Sequence, residues 1–388
     1  MSEEKLVPKL RFSGFDDEWI EEKLGNLVQI KSGECTKNLI TGIDNSIPYF
    51  KVEQLNNSLK YQIKTPYFIN DKSKIVNKGS IIFPKRGAAI LLNKIRILNQ
   101  DSFMDTNLMT LTPNNKLYNE FLYYFIYKEN LSKIADTTSI PQLNNKHIKP
   151  YPIKLPSFEE QLKISKFISS VDKKVALLSQ NLEIFNDFKK GLLQQIFTQK
   201  LRFDDNCQYK TKQVKDFLIE SKIEGIDDIN KRLTVKLNLK GITVRESKTI
   251  EIEGATKQFI RKTGQFIYGK QNLHKGAFGI IPKELDGYLT SSDIPSFDFK
   301  GGIEPKWFYY YFARKSFYEK LENLSTGTGS KRISPKEFLN IKIIVPEFKE
   351  QHKIVCLLEK FDEKINGISN QIVQMNMFKK SLLQQMFV

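Results

Sequence analysis

Residues 156–197 read PSFEEQLKISKFISSVDKKVALLSQNLEIFNDFKKGLLQQIF, and residues 346–387 read PEFKEQHKIVCLLEKFDEKINGISNQIVQMNMFKKSLLQQMF. The two segments align without a gap at an offset of 190 residues, and both end in Lys-Lys-x-Leu-Leu-Gln-Gln-x-Phe. Chance does not produce an ungapped match of this length within one chain. The 388-residue sequence therefore contains an internal duplication, which bears on the architecture of the whole molecule.

Both copies carry apolar residues in steps of four and three, the pattern of a coiled-coil helix. We therefore predict two helices of about 40 residues, each roughly 60 Å long, whose apolar seams pair with one another. Ser157 and Glu160 give the first helix a capping-box signature, whereas Glu347 replaces the serine in the second copy. Two ordinary amphipathic core helices are the alternative. The seam residues are Ile164, Ile168, Val171, Val175, Leu178 and Leu182 in the first copy, and Ile354, Leu358, Phe361, Ile365, Ile368 and Ile372 in the second.

The regions outside the helices, 10–155 and 201–345, differ strongly from each other. Both contain short β-branched and aromatic runs punctuated by Gly, Asn and Pro, which predict strands. These runs lie at 80–83, 108–111, 265–268 and 341–345, and helical patterns lie near 118–134 and 305–324. We therefore predict an α+β protein with domains at 1–155 and 200–345 and long helices at 156–199 and 346–388.

The composition favours a polyanionic partner, because 61 Lys and Arg against 44 Asp and Glu give a net charge of +17. Cys35, Cys207 and Cys356 are far apart and form no C-x-x-C pair. Neither a disulfide framework nor a zinc site is indicated, and a reducing cytoplasm fits. The polar N-terminus is unlike a signal peptide, and no apolar run approaches the ~18 residues that span a bilayer, so we expect no membrane association.

Catalytic motifs are scarce. The Asn-Pro-Pro-Tyr motif of adenine methyltransferases is absent. Residues 264–271 read GQFIYGKQ, which approaches a P-loop but has Gln271 where a Ser or Thr should bind Mg²⁺. His147, His274 and His352 have no second ligand or base at metal-site or triad spacing. We therefore predict no catalytic, metal or cofactor site on this chain.

Polar loops follow several of the predicted strands. Lys and Arg match guanine edges and phosphates, Asn and Gln match adenine edges, and Gly lets the backbone approach phosphate closely. The same composition also fits solvated loops that contact nothing. The candidate DNA-binding residues are Lys85, Arg86, Ser139, Gln142 and Asn144 in the first half, and Lys270, Gln271, Asn272, Lys275, Ser330, Lys331 and Arg332 in the second.

Further short motifs accompany the duplication. Residues 8–12 read PKLRF, followed by DEW at 17–19 and KLG at 23–25. Pro-x-x-x-Glu-Gln-x-x-Ile starts each helical copy, Asp-x-x-Val or Asp-x-x-Ile follows, and Lys-Lys-x-Leu-Leu-Gln-Gln closes each copy. Together these motifs resemble the specificity (S) subunit of type I restriction–modification systems over nearly the whole chain. Tyr209 stands where the first half has Trp19, which is a departure from the repeat.

The resemblance implies two target-recognition domains joined by an antiparallel coiled coil, with a pseudo-twofold internal repeat and a bipartite double-stranded DNA target. It also implies partner chains: two modification (methyltransferase) subunits, and restriction (translocase/endonuclease) subunits. S-adenosylmethionine, ATP and Mg²⁺ would act on those partners, and this chain would be non-catalytic. Two other functions are compatible with the residues alone. The missing motifs disfavour a stand-alone nuclease or methyltransferase, and the charge of +17 disfavours a coiled-coil scaffold without a DNA role.

Overall fold

A computed structural model describes the chain over residues 6–36, 39–41, 46–70, 75–136, 140–246, 254, 256–325 and 332–388. The chain divides into two compact units, which we call the first and the second unit. The first unit combines Met1–Ser179 with Asn370–Val388, and the second unit is Gln180–Ser369. Each unit therefore contains one of the two divergent regions and a part of each long helix.

The first half of the chain is mixed α and β. Its helices are α1 (Leu24–Leu27), α2 (Asn119–Glu129), α3 (Asn145–Ile148) and α4 (Phe158–Phe197). Its strands are β1 (Ile20–Lys23), β2 (Val28–Ser32), β3 (Ile47–Phe50), β4 (Tyr61–Gln62), β5 (Phe68–Ile69), β6 (Ile81–Pro84), β7 (Arg96–Leu98), β8 (Phe103–Met104), β9 (Leu108–Pro113) and β10 (Pro152–Leu155). The predicted strands at 80–83 and 108–111 are confirmed as β6 and β9.

The second half has the same mixed character. Its helices are α5 (Pro305–Phe312), α6 (Lys315–Tyr318), α7 (Pro335–Leu339) and α8 (Phe348–Met386). Its strands are β11 (Tyr209–Gln213), β12 (Leu218–Ser221), β13 (Glu224–Gly225), β14 (Leu233–Val235), β15 (Ile242–Val244), β16 (Gln258–Ile260), β17 (Phe266–Tyr268), β18 (Phe278–Ile280), β19 (Leu289–Ser291), β20 (Ser296–Phe299) and β21 (Lys342–Pro346). The long helices α4 and α8 contain 40 and 39 residues, which confirms the predicted length. No helix within the described residues combines the length and the apolar content that crossing a membrane requires.

The main core of the first unit lies against the sheet β2-β9-β6-β7-β4. Helix α2 places Phe121 in this core, and α4 adds Ile164 and Ile168. Met386 at the end of α8 and Phe387 directly after it complete this core, and their exposed fractions are 1% and 4%. The end of the chain is therefore an integral part of the first folded unit.

The main core of the second unit lies against the sheet β12-β20-β17-β18. Helix α5 supplies Trp307 and Phe308, and α8 adds Ile354 and Leu358 from its first turns. The end of α4 adds Ile196, which is 1% exposed. The first unit thus contains the start of α4 and the end of α8, and the second unit contains the end of α4 and the start of α8. An antiparallel pair of helices has this arrangement.

The central strands of the two units follow the same register. Strand β2 pairs with β9 as β12 pairs with β20, and β9 pairs with β6 as β20 pairs with β17. The matching residue pairs are Val28–Pro113 with Leu218–Phe299, and Ile81–Leu111 with Phe266–Phe297. This register makes Lys85, which follows β6, equivalent to Lys270, which follows β17.

A polar cluster joins the long helices in each unit. In the first unit, Asp172 of α4 accepts a hydrogen bond from the Tyr124 hydroxyl (2.6 Å), and the Lys379 ammonium of α8 lies 2.6 Å from the same carboxylate. The equivalent contacts in the second unit join Asp362 to Tyr310 and Lys189. Both carboxylates belong to the duplicated Asp-x-x-Val/Ile motif, so this motif holds the two helices in register.

The predicted capping box at the start of α4 is only half formed. The Ser157 hydroxyl accepts the Glu160 backbone N–H (3.3 Å), as predicted. The Glu160 carboxylate instead accepts two hydrogen bonds from the Arg11 guanidinium, at 2.9 and 2.8 Å. In the second copy, Glu350 accepts the Phe203 backbone N–H (2.8 Å). The duplicated glutamate therefore ties the start of each divergent region to the long helix that follows it.

The seam residues are buried or half-buried throughout. Those at the outer ends of the seams pack into the cores of the two units as well as along the helices. The buried ones are Ile164, Ile168, Val171, Leu178, Ile354, Leu358 and Ile368, and the half-buried ones are Val175, Leu182, Phe361, Ile365 and Ile372.

Asp172→Asn is expected to lower the free energy of unfolding of the first unit by about 1.5–3 kcal/mol, because it removes a charged acceptor from a tyrosine hydroxyl and a lysine ammonium. Hydrogen exchange of strand β6 across a denaturant series measures this loss. Asp187→Asn is the control, since Asp187 pairs with Lys190 on an exposed helix face. Equal protection of β6 in both variants would show that the Asp172 cluster adds no stability.

Candidate nucleic-acid interface

In the first unit, two of the predicted polar loops lie side by side. The loop after β6 holds Lys85 and Arg86, and the loop before α3 holds Gln142. The Lys85 backbone N–H donates to the Asn107 carbonyl (2.8 Å), and the Lys85 carbonyl accepts from the Leu143 N–H (2.9 Å). An antiparallel bridge then joins Arg86 to Gln142. The backbone thus fixes an exposed arginine beside a half-buried glutamine.

The second unit brings together the corresponding loops. The Lys270 backbone N–H donates to the Asp293 carbonyl (2.9 Å), and the Lys270 carbonyl accepts from the Ile333 N–H (2.9 Å). The Arg332 guanidinium donates to the Asp293 carboxylate at 3.0 Å, which orients the arginine. Gln271 is exposed on the adjacent position. The loop after β17 and the loop before α7 therefore meet, as their counterparts do in the first unit.

Lys85 and Lys270 occupy equivalent backbone positions. Each is held from both sides by main-chain hydrogen bonds, and the donors to their carbonyls, Leu143 and Ile333, lie 190 residues apart. The neighbouring positions match Arg86 with Gln271, and Gln142 with Arg332. Each unit therefore presents one lysine, one arginine and one glutamine. In the first unit the arginine follows the strand and the glutamine precedes the short helix, and in the second unit these two positions are exchanged.

Lys85 and Arg86 in the first unit form a pair of cations that could bind an anion. Partial burial, and secondly the adjacent Arg86 guanidinium, lowers the pKa of Lys85, and the Asp105 carboxylate offsets part of this effect. Two neighbouring cations, one of them partly desolvated, are stabilised by a negative group placed between them. A phosphate or the electronegative edge of a guanine supplies such a group.

The remaining predicted DNA-binding residues do not belong to the matched positions around Lys85 and Lys270. Asn144 is exposed at the N-terminus of α3. The Asn272 carbonyl accepts the N–H groups of Lys275 (2.9 Å) and Ala277 (3.0 Å), so Asn272 closes the turn after β17. Lys275 is exposed on that turn. Ser139, Ser330 and Lys331 lie outside the described residues.

Comparison with known proteins identifies the family. The family model for the type I restriction modification DNA specificity domain matches residues 16–184 and 209–374. The chain belongs to the type I specificity subunit family. The specificity domain thus occurs twice, and each match covers one recognition region and much of the long helix that follows it.

Similar specificity subunits extend over nearly the whole chain. The specificity subunit of the type I restriction enzyme MjaVIII from Methanocaldococcus jannaschii is 22% identical over 398 aligned residues, covering 95% of this chain and 91% of that protein. The EcoDI specificity subunit from Escherichia coli is 21% identical and covers 95% of this chain and 88% of that protein. The S subunit from M. genitalium, a solved crystal structure, is 16% identical, has a TM-score of 0.61 and covers 98% of this chain and 99% of that one. These matches confirm the predicted α+β fold with its duplicated domain.

The residues of this specificity subunit that approached a catalytic motif have other roles. The middle of this stretch, Phe266–Tyr268, is strand β17, so its backbone is extended where a P-loop would curve around phosphates. The His147 ring accepts the Asn144 N–H (3.1 Å) and lies 3.3 Å from the Asp136 carboxylate. His352 lies 3.6 Å from the Cys356 sulfur. Within the described ranges, no group of three or more His, Cys, Asp or Glu side chains could hold a metal ion.

Sequence reasoning did not single out Ser221 or Arg261. Both line a cleft beside Lys270, although they lie on β12 and immediately after β16. In the sequence, Arg261 follows the short apolar pair Phe259-Ile260, and arginine is ordinarily exposed. In the structure this arginine is 1% exposed.

Proposed function

We propose that this subunit binds double-stranded DNA and reads a bipartite target, with each unit reading one half-site. The observation that carries the proposal is the matched loop pair after β6 and after β17. Two recognition regions that have diverged in sequence retain the same backbone frame around Lys85 and Lys270. Divergent side chains on a common frame are what two different half-sites require.

The chemistry of each position suggests its role. Lys85 and Lys270, held by main-chain hydrogen bonds at both N–H and C=O, suit phosphate contacts that set the register on the duplex. The side chains beside them differ between the units and suit base edges. Arg86 and Arg332 match guanine O6 and N7, and Gln142 and Gln271 match adenine N6 and N7.

The charge balance supports binding to a polyanion. A net charge of +17 favours nucleic acid over most other partners. Binding through phosphates releases counterions, so affinity should fall steeply with salt concentration. We place this activity in the cytoplasm, where DNA and reduced cysteines occur together.

The long helices suit contact with the partner subunits. Large apolar side chains are exposed along α4 and α8, namely Leu177, Ile184, Phe188, Val373, Met377 and Phe378. Exposed apolar side chains along both copies of the duplicated helix favour a protein partner. One similar solved structure, with a TM-score of 0.53, comes from work on complex assembly of the type I restriction–modification system. We assign these surfaces to two modification subunits, with restriction subunits joining the same complex. S-adenosylmethionine, ATP and Mg²⁺ would act on those partners, and this chain would be non-catalytic.

Mapping of methylated sites in cells tests whether each unit reads one half-site. With the modification subunits present, Arg86→Ala is expected to relax one position of one half-site, because loss of a bidentate base contact removes about 1–3 kcal/mol of discrimination. Arg332→Ala should relax a position in the other half-site. Each variant serves as the control for the other.

Two results would contradict this proposal. Relaxation of the same half-site by both variants would rule out one reader per unit. Turnover of S-adenosylmethionine by the purified subunit alone would favour a stand-alone methyltransferase over a recognition subunit.

A further inference from the structure

A cleft in the second unit lies beside the candidate reading loop, between β12, β16 and α7. Four cationic side chains line it: Lys222, Arg261, Lys270 and Lys336. The carboxylate that lines it, Glu220, forms an ion pair with Lys222 at 3.0 Å. The cleft therefore carries an excess of positive charge next to Lys270, the residue equivalent to Lys85.

Arg261 forms the inner wall of this cleft and is 1% exposed. Its guanidinium donates to the hydroxyls of Thr290 (2.6 Å) and Ser296 (2.8 Å), and to the carbonyls of Ser221 (3.2 Å) and Ile294 (3.1 Å). All four acceptors are neutral, and no carboxylate forms an ion pair with Arg261 in the part of the chain that the structure describes. Burial lowers the pKa of Arg261 to about 10, so it stays charged at neutral pH. The Glu220 carboxylate, which pairs with Lys222, offsets part of this burial effect. A further anion in the cleft would stabilise the buried Arg261 cation.

Ser221 is an independent indication of a ligand. The residue is 7% exposed and lines the cleft, and its hydroxyl is buried without a hydrogen-bond partner among the described residues. A buried hydroxyl without a partner costs free energy, and in native proteins it calls for an explanation such as a missing ligand. A bound anion would accept the hydrogen bond that Ser221 can donate.

The equivalent cleft of the first unit lacks these features. Strand register places Lys31 where the second unit has Ser221. Equivalent backbone hydrogen bonds, from Val76 to Ser102 and from Arg261 to Tyr288, place Val76 where the second unit has Arg261. The Lys31 ammonium donates to the Ile75 carbonyl (2.9 Å). Glu34 also lines this cleft, which balances the lysine charge. Among the described residues that line the two clefts, the positive excess and the unpartnered hydroxyl therefore occur in the cleft of the second unit.

We propose that the cleft of the second unit binds one phosphodiester group of the DNA backbone, with Ser221 and Arg261 as inner contacts and Lys336 at its rim. This inference rests on the proposed DNA-binding function and adds a phosphate contact that the first unit lacks. Lys270 belongs to both the cleft and the reading loop. A phosphate in the cleft would thus fix the backbone next to the base edges that face Gln271 and Arg332.

Binding of the full-length chain to a fluorescent mixed-sequence duplex, measured by anisotropy between about 50 and 200 mM salt, tests the proposal. Ser221→Ala is nearly isosteric and should weaken binding about tenfold, because it removes a hydrogen bond to a charged group. Its melting temperature should stay the same or rise, because an unpartnered buried hydroxyl has been removed. Lys336→Ala should flatten the slope of log K against log salt by about 0.9, the value for one phosphate contact. Lys283→Ala, an exposed lysine outside the cleft, should leave the slope unchanged.

The outcomes separate this inference from the proposed function. If the wild-type chain does not bind DNA, both are overturned. Suppose that the wild type binds DNA, and that Ser221→Ala and Lys336→Ala match it in affinity and in salt slope. The cleft is then not a DNA contact, and the proposed function of the loops after β6 and β17 is unaffected. If inorganic phosphate raises the melting temperature of the wild type but not of Ser221→Ala, while DNA affinity is equal in both, the cleft takes a free anion and the DNA assignment is wrong.

Discussion

Replacing Phe387 by alanine is expected to destabilise the first unit by about 3–5 kcal/mol and to leave the second unit folded. The ring is 4% exposed, stacks on Phe121 at 4.8 Å between centroids, and meets Trp19 edge-on at 6.4 Å. Its removal leaves a cavity between two other large aromatic side chains. A loss of this size is a large part of the 5–15 kcal/mol that ordinarily stabilises a domain.

Hydrogen exchange with peptide resolution measures this effect, because it reports on each unit separately. Strand β6 of the first unit should lose protection in Phe387→Ala, although it lies about 300 residues earlier in the chain. The matched control is Ile196→Ala, a residue 1% exposed in the core of the second unit. That variant should deprotect β17 and leave β6 unchanged. If either variant deprotected both strands, the two units would not unfold independently.

The sequence alone predicted the long helices well because their signal is local and occurs twice. A seam in steps of four and three identifies a helix and the face that it buries, whatever lies against that face. It does not identify the partner. The sequence therefore predicted that the seams pair with each other, but not that Met386 and Phe387 complete the core of the first unit. Phe387 contacts Phe121 and Trp19, which lie 266 and 368 positions earlier in the chain, and no periodicity reports such separations.

The candidate site was predictable in part for a similar reason. Composition pointed to the loops at 84–87 and 137–145, and to their counterparts in the second half. That the loops meet in pairs depends on strand register, as in the hydrogen bond from Leu143 to Lys85. Arg261 could not be recognised, because an arginine after a strand gives no sign of whether it points into solvent or into the protein. The roles of Ser139, Ser330 and Lys331 stay predictions.

A fragment ending at residue 200 is expected to form a homodimer. The fragment lacks Asn370–Val388, which belongs to the first unit, so the core around Trp19 and Phe121 would be open to water. It retains 180–198, whose Leu-Leu-Gln-Gln-x-Phe motif repeats the one that closes this core. In a dimer, that segment of each copy can cover the core of the other. Lys189 would then stand where Lys379 pairs with Asp172.

Such a dimer would have C₂ symmetry and would present two identical readers in opposite directions, so it should bind an inverted repeat of one half-site. Analytical ultracentrifugation measures its mass. Lysine at Val171 and Leu178, which are 4% and 6% exposed in the full chain, should keep the fragment monomeric, because two charges cannot be buried in the seam without partners. DNA binding should weaken in the same variant, because the two readers are no longer tethered. A well-folded monomer of the unaltered fragment at micromolar concentration would show that 180–198 cannot replace Asn370–Val388, and that the two copies of the motif are not interchangeable despite their matching sequence.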